Sequence, residues 1–320
     1  MTPPLILIGE TGFAEPAVAI LERVGRVEEF AGRDAFVERL PDADAVVVAL
    51  EVHLGPQLLA RAERLRVIAT RTSQLRHLDV DGARGRGIPV LSIDAEAPAL
   101  QETSSTAEEA FALLLSLVRN VPWAFAALKE GRWERRRYGG HELRGKTIGL
   151  VGFGRLGRMV ARYATAFEMQ VLAYDPHVED GEIAAGGAAP RTLDDLLRES
   201  DVVSLHCTWS NETRGLIGER ELGLLRPGAF LVNTARGEIT DERALLRALE
   251  DGRLAGAAVD TLAGEDPTGA HLAGNPLVEY ARSHENLILL PHLGGATEEA
   301  TERTQIYISE KLADWLEANT

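Results

Sequence analysis

The sequence predicts an α/β protein of two doubly wound parallel-sheet domains, on three observations. Short β-branched runs alternate with amphipathic runs along most of the 320 residues, which implies parallel strands joined by right-handed helical crossovers. Residues 45–50 (AVVVAL) are apolar throughout, the pattern of a strand covered on both faces. Residues 147–176 read strand, glycine turn, helix, strand and acid, one complete crossover unit.

The first hundred residues supply a strand at 5–8, a helix at 14–24, the strand at 45–50 and a helix at 58–64. A strand at 67–70, a short helix at 80–86 before Gly87, and a strand at 89–93 complete that set. A long helix is expected over 103–120, capped by Thr103 or Ser104 and ended by Pro122, with Glu108 and Glu109 suiting its early turns. Its apolar face runs through Phe111, Leu114, Leu115 and Val118, and it is read as the crossing between domains. After a loop rich in Arg and Gly, strands are expected at 147–151, 171–174, 201–207, 229–234, 254–260 and 287–290. Helices are expected at 193–198, 219–225, 241–250 (with Gly252 at its C′ position) and 297–317, the last capped by Thr297.

Composition bounds the function. The formal net charge of −15 argues against a nucleic-acid partner, which draws on clustered cations. The one basic cluster, Arg135-Arg136-Arg137, is short and reads as a solvated face. A single cysteine, Cys207, allows no intrachain disulfide. No basic leader precedes an apolar core at the N-terminus, and no apolar run reaches the length of a membrane span. A cytoplasmic, soluble protein without a metal site is the expectation.

In Gly152-Phe-Gly154-Arg-Leu-Gly157, Gly152 allows the tight turn, Gly154 lets backbone approach a pyrophosphate, and Gly157 lets helix and strand pack closely. The amphipathic run Leu156, Val160, Tyr163, Ala164 and Phe167 then presents its first-turn N–H groups to phosphates. Asp175 lies 18 residues past Gly157, where a carboxylate accepts both hydroxyls of an adenosine ribose and repels a 2′-phosphate. The pattern therefore points to NAD rather than NADP.

Ligands of open parallel sheets bind beyond the carboxyl ends of strands. At those ends in the second half stand Thr208, Arg236, Asp260 with Glu265 five residues on, and His292. Singly, each has an ordinary structural role: a helix-end ion pair, a turn cap, a solvated loop charge, a core histidine. Together they match what hydride transfer to a 2-oxo acid needs beyond the nicotinamide. Arg236 can hold a carboxylate bidentately. His292 can deliver a proton to the carbonyl oxygen, since imidazole titrates near neutrality. Glu265 can orient that histidine and keep its proton available.

These residues resemble the D-isomer-specific 2-hydroxyacid dehydrogenases, the family of D-3-phosphoglycerate, D-lactate and glycerate/hydroxypyruvate enzymes. The matching stretches are ELRGKTIGLVGFGRLG, LHCTWSNETRGLIG, LVNTARGEITDERAL, AGAAVDTLAGED and LLPHLGGAT, from about Ser105 to Thr297. The resemblance implies Arg236 as substrate anchor, Glu265 and His292 as acid/base pair, and Asp260 near the nicotinamide. It implies cofactor contacts at Thr106, Gly152, Gly154, Arg155, Leu156, Gly157, Asp175, Cys207, Thr208, Thr213, Thr234, Ala235, Asp260 and Gly294. Substrate contacts are implied at Ser73, Gln74 and Arg236. It also implies a flavodoxin-like substrate domain split in sequence (1–100 and 295–320), a Rossmann-type cofactor domain (101–294), a cleft that closes between them, and a homodimer formed through the cofactor domain.

Three departures are visible. Thr72 and Gln74 stand where family members carry glycines in the loop that holds the substrate carboxylate, so this loop is expected to bind differently. Thr208 replaces a usual proline and is expected to loosen its loop. Residues 266–285, with Pro267, Gly269 and Gly274, read as a long mobile loop. No regulatory domain is read in the 320 residues, which suggests a short form. The other function class in view is an NAD(H)-sensing regulator on the same scaffold. Formate chemistry is disfavoured, because the formate enzymes of this lineage carry Gln where Glu265 stands.

Overall fold

The computed structural model describes residues 3–319 apart from 31, 50, 51, 73, 74, 76, 95, 96 and 267. The chain divides into two compact units, Met1–Thr103 with Thr297–Thr320, and Ser104–Ala296.

The first unit holds five parallel strands: β1 (Leu5–Ile8), β2 (Arg26–Glu29), β3 (Ala45–Val47), β4 (Val67–Ala69) and β5 (Val90–Leu91). Their order is 2-1-3-4-5, the flavodoxin-like arrangement. Period-two alternation between two covered faces explains why the interior strands β1, β3 and β4 are apolar at every position. Leu5, Leu7, Val46 and Ile68 face one layer with Phe36 and Leu40. Ile6, Ile8, Ala45, Val47 and Val67 face the other, where the helix Glu298–Ala318 supplies Ile308, Leu312 and Leu316. Those three side chains are essentially fully buried, each contributing roughly 1.5–3 kcal/mol.

The second unit holds seven parallel strands: β6 (Thr147–Val151), β7 (Gln170–Tyr174), β8 (Ala189–Pro190), β9 (Val202–Leu205), β10 (Ala229–Asn233), β11 (Leu254–Val259) and β12 (Leu287–Leu289). The sheet order is 12-11-10-9-6-7-8. The chain winds outward from β6 to β8, then returns to β9 on the other side of β6, so the winding reverses between β6 and β9, as in Rossmann-type sheets. The helices Ser105–Val118 and Arg155–Ala166 cover one face with Phe111, Leu114, Val160 and Ala164. The helices Leu193–Glu199 and Glu242–Glu250 cover the other with Leu196, Leu197, Leu245 and Leu249.

Several expectations are corrected. The strand β2 (RVEE) escapes periodicity because it is a partly exposed edge strand. Pro122 does not end helical structure: Asn120 turns in the left-handed region (φ 53°), and Pro122 sits at the start of a new helix, Val121–Lys129, where a missing N–H costs nothing. Neither Thr103 nor Ser104 caps the helix Ser105–Val118 by a side-chain bond to its backbone. The Thr103 hydroxyl donates to the Ala99 carbonyl (2.7 Å), and Ser104 Oγ donates to Glu108 (2.6 Å). The stretch read as a long loop contains a helical turn, Ala270–Leu272, and a helix, Pro276–Ala281, capped by Asn275; Pro267 lies outside the described residues. Among the described residues no single helix is long and apolar enough to cross a membrane.

Candidate active site

Strand β6 runs into Gly152, whose φ of 97° lies in the region that favours glycine. A Cβ there would stand 2.5 Å from the Cys207 nitrogen, so the turn also passes too close to the end of β9 for any side chain. A Cβ on Gly157 would stand 2.3 Å from the Gly152 carbonyl oxygen, which shows how tightly the helix Arg155–Ala166 seats on the turn. Gly154, the N-cap residue, has no atom within 4 Å of its Cβ position and makes no side-chain cap bond. The backbone there is open, the geometry by which a helix N-terminus can meet an anion. Arg155 begins the helix, and half-buried Leu156 packs against the core.

Asp175 follows β7 and closes the turn. Its Oδ2 accepts the Phe153 N–H (2.8 Å) and its Oδ1 the His177 N–H (2.9 Å). Beside it opens a cavity of about 450 Å³ bounded by Tyr174, Asp175, Ile183, Pro190, Arg191 and Thr192. On the other side of the turn, burial, then the charge of Asp175, pushes the Cys207 thiol up to about 11, so it stays protonated. Burial pulls His206 down to about 4, so it stays neutral. The loop after β9, which carries Thr208, is tied internally by Thr213. The Thr213 hydroxyl donates to the Thr208 carbonyl (2.8 Å) and accepts the Ser210 N–H (2.7 Å).

At the end of β10, Asn233 shapes the next turn. Its Nδ2 donates to the Arg236 carbonyl (2.9 Å), and its Oδ1 accepts the Ala235 N–H (3.0 Å). The Thr234 side chain is buried and its hydroxyl has no protein partner. Arg236 is half-buried, with Nη1 donating to the Ala235 carbonyl. Gly237 must lack a side chain: a Cβ would stand 2.1 Å from the Leu262 carbonyl carbon. That close approach packs the Arg236 turn against the loop that carries Glu265.

Strand β11 ends at Asp260, which is 1% exposed. Its carbonyl accepts the His292 N–H (2.8 Å), its Oδ1 the Leu293 N–H (2.7 Å) and its Oδ2 the Gly294 N–H (3.0 Å). The Thr106 hydroxyl donates to the Gly294 carbonyl (2.9 Å). The strap of residues 292–294 is thus stapled at four points. The staples hold His292 in the left-handed region (φ 57°), a conformation costing a β-carbon residue about 1–3 kcal/mol. Its Nδ1 lies 2.6 Å from Glu265 Oε2, and Glu265 Oε1 accepts the Leu262 N–H (3.0 Å). A carboxylate there accepts the Nδ1–H, which fixes the ring proton on Nδ1 and leaves Nε2 as the other ring nitrogen.

Arg236, Asp260, Glu265 and His292 therefore lie on three adjoining strand ends, and the glycine turn with Asp175 lies farther along the same edge of the sheet. Ser73 and Gln74 fall outside the described residues. Near them in the first unit, the Thr70 hydroxyl lies 3.2 Å from Nε2 of buried His77 and 3.1 Å from the Thr72 hydroxyl. In the sequence Glu109 carries only the signal of an early-turn helix acid. The structure sets it against Asp260, and burial together with that neighbouring charge raises its carboxyl. A contact between residues 151 positions apart leaves no local signal.

Strand order and glycine turn define a dinucleotide-binding α/β protein. Residues 111–294 match the model of the D-isomer specific 2-hydroxyacid dehydrogenase, NAD binding domain. The chain is 35% identical over 303 residues to a D-3-phosphoglycerate dehydrogenase of Methanocaldococcus jannaschii, spanning 93% of this chain and 55% of that one. It is 34% identical to a hydroxypyruvate reductase of Thermotoga maritima, spanning 91% and 90%. The D-lactate dehydrogenase of Aquifex aeolicus, solved with NAD and lactic acid, superposes with a TM-score of 0.80 at 28% identity, covering 98% of this chain and 96% of that one. This chain belongs to the D-isomer specific 2-hydroxyacid dehydrogenase family, and residues 111–294 are its NAD-binding domain. It spans about half the length of the D-3-phosphoglycerate dehydrogenases it matches.

Proposed function

We propose that the protein is an NAD-dependent oxidoreductase that interconverts a D-2-hydroxy acid and its 2-oxo acid. The observation that carries this reading is the 2.6 Å bond between His292 Nδ1 and Glu265 Oε2. Bound NADH supplies the hydride to the carbonyl carbon. In that direction His292 Nε2 gives its proton to the carbonyl oxygen, and Glu265 stabilises the protonated ring beforehand. In the reverse direction the neutral ring takes the hydroxyl proton. Arg236 holds the substrate carboxylate. Asp175 receives the adenosine ribose, and the orphaned Thr234 hydroxyl and the Thr106–Gly294 staple serve the cofactor. The relatives that this chain matches are named as dehydrogenases and reductases, which supports the enzyme over a protein that only senses NAD(H).

The test is a panel of 2-oxo acids, hydroxypyruvate, glyoxylate and pyruvate among them, followed by loss of NADH absorbance. In the Arg236→Ala variant the KM for the best of these acids should rise on the order of a hundredfold, matching loss of a charge-assisted contact of about 3 kcal/mol. No NADH consumption with any 2-oxo acid, at catalytic protein concentration, would remove the assignment.

We also infer a cytoplasmic homodimer formed by the NAD-binding domain. Val121, Phe125 and Leu128 repeat at helical spacing on the helix Val121–Lys129, and Trp133 follows; all four are exposed, Trp133 by 82%. A contiguous apolar strip of this kind marks an interface. Sedimentation should give a dimer for the native chain and a monomer for the double variant Phe125→Glu/Leu128→Glu. A native monomer at micromolar concentration would sink the inference.

A further inference from the structure

The strap that carries His292 rests against a second acid that the proposed reaction does not use. Glu109 lies in the second turn of the helix Ser105–Val118. With both acids ionised, its Oε2 is enclosed and receives no hydrogen bond. That oxygen lies 2.8 Å from the point where a Cβ on Gly294 would stand, and Asp260 Oδ2 lies 3.3 Å from the same point. The two carboxyl groups converge on one backbone position, where a side chain would crowd the Glu109 carboxyl. Asp260 already accepts the Leu293 N–H on Oδ1 and the Gly294 N–H on Oδ2. The proton of the pair therefore resides on Glu109, where burial first, and then the Asp260 charge, favour the neutral acid.

We propose that Glu109 is a positioning residue: a protonated acid that donates its hydrogen bond to Asp260 and so holds the strap of His292, Leu293 and Gly294 in register. The link to catalysis rests on the role proposed above for His292; the acid pair itself does not. Asp260 is the ionisable side chain that acts on Glu109. Glu108, next to it, is exposed and bonded to Ser104, while His292 and Glu265 are bonded to each other. When Glu109 ionises, two like charges meet at Gly294 and push against the N–H staples.

Thermal unfolding without cofactor tests the pair. The carboxyl of Glu109 is raised from 4.5 to about 8 in the folded chain. Between those values the folded state keeps a proton that the unfolded chain has lost, so this group's contribution to stability falls as pH rises, then stays level above about 8. Gln at this position does not titrate but still donates to Asp260. The Tm of Glu109→Gln relative to the native chain should therefore climb between pH 5 and 8 and stop climbing above 9. A difference that does not change with pH overturns the pair. At pH 7 the native chain should also show the infrared C=O band of a protonated carboxyl, lost in Glu109→Gln; persistence of that band in the variant places the proton elsewhere.

The positioning role is read by kinetics with the best 2-oxo acid. Glu109→Ala should lower kcat about tenfold, as small misplacements of a reacting group do, with KM for NADH within about twofold. Glu109→Gln should restore kcat at pH 7 and move the alkaline fall of activity to higher pH. Full kcat in Glu109→Ala overturns positioning. If the native protein reduces no 2-oxo acid, the proposed function fails, and unfolding and infrared still decide whether the acid pair exists.

Discussion

Replacing His292 by alanine should abolish turnover and leave NADH binding intact. The fall in kcat should reach about 10²–10⁴-fold, the range a positioned general acid supplies. The Kd for NADH, read from quenching of protein fluorescence, should stay within about twofold. The reason is the division of labour at the strap. Its shape comes from backbone N–H groups of residues 292–294 held by Asp260, whereas the imbalance of charge in the reaction falls on the ring held by Glu265. Because residue 292 has φ 57°, alanine adds strain of its own, so His292→Asn, which tolerates that region better, is the companion variant. Both should be inactive. Full activity in either would take His292 out of the chemistry, and loss of NADH binding in both would show that the ring supports the cofactor site instead.

Asp175→Ser should weaken NAD and relatively improve NADP. Removing a carboxylate that accepts ribose hydroxyls costs about 1.5–3 kcal/mol, roughly 10- to 150-fold in kcat/KM for NAD. Removing its charge relieves repulsion of a 2′-phosphate, so the ratio of kcat/KM values for NAD and NADP should fall by at least as much. The structure adds a second effect. Asp175 accepts N–H groups from both Phe153 and His177, and a serine hydroxyl cannot serve both. The variant should therefore also melt lower by a few degrees. An unchanged cofactor ratio alongside a lowered Tm would make Asp175 a brace of the glycine turn and nothing more.

The parts of the molecule that were legible are those where one local pattern has one physical solution. Gly152, Gly154 and Gly157 each answer a separate steric demand, and the structure shows a crowded turn, an open cap and a tight seat at those positions. Thr297 caps its helix by accepting the Ala300 N–H, as its residue type suggested. The strand-end rule placed Arg236, Asp260, Glu265 and His292 on neighbouring ends, because parallel strands repeat the same polarity. What stayed hidden depends on contacts between distant residues or on chemistry with two local readings. The pair of Ala189 and Pro190 is too short to show alternation, yet it forms β8 on β7. Pro122 is as good a helix start as a helix stop, and only the left-handed Asn120 decides between them. Glu109 looked like a favourable early-turn acid, because nothing near it in sequence announces Asp260.

The helix Glu298–Ala318 completes a sheet whose strands all belong to the first ninety-odd residues. On the ribosome, Ile6, Ile8, Ala45, Val47 and Val67 emerge with Phe13, Ala17 and Leu21, but Ile308, Leu312 and Leu316, which complete their cover, arrive only after some two hundred further residues have been made. At about 5–20 residues per second, that face stays incompletely covered for ten seconds or more, open to chaperones and to other nascent chains. The segment in between meets no such delay, since every strand of its sheet is consecutive in synthesis. The NAD-binding unit can mature before the cover of the other sheet is complete.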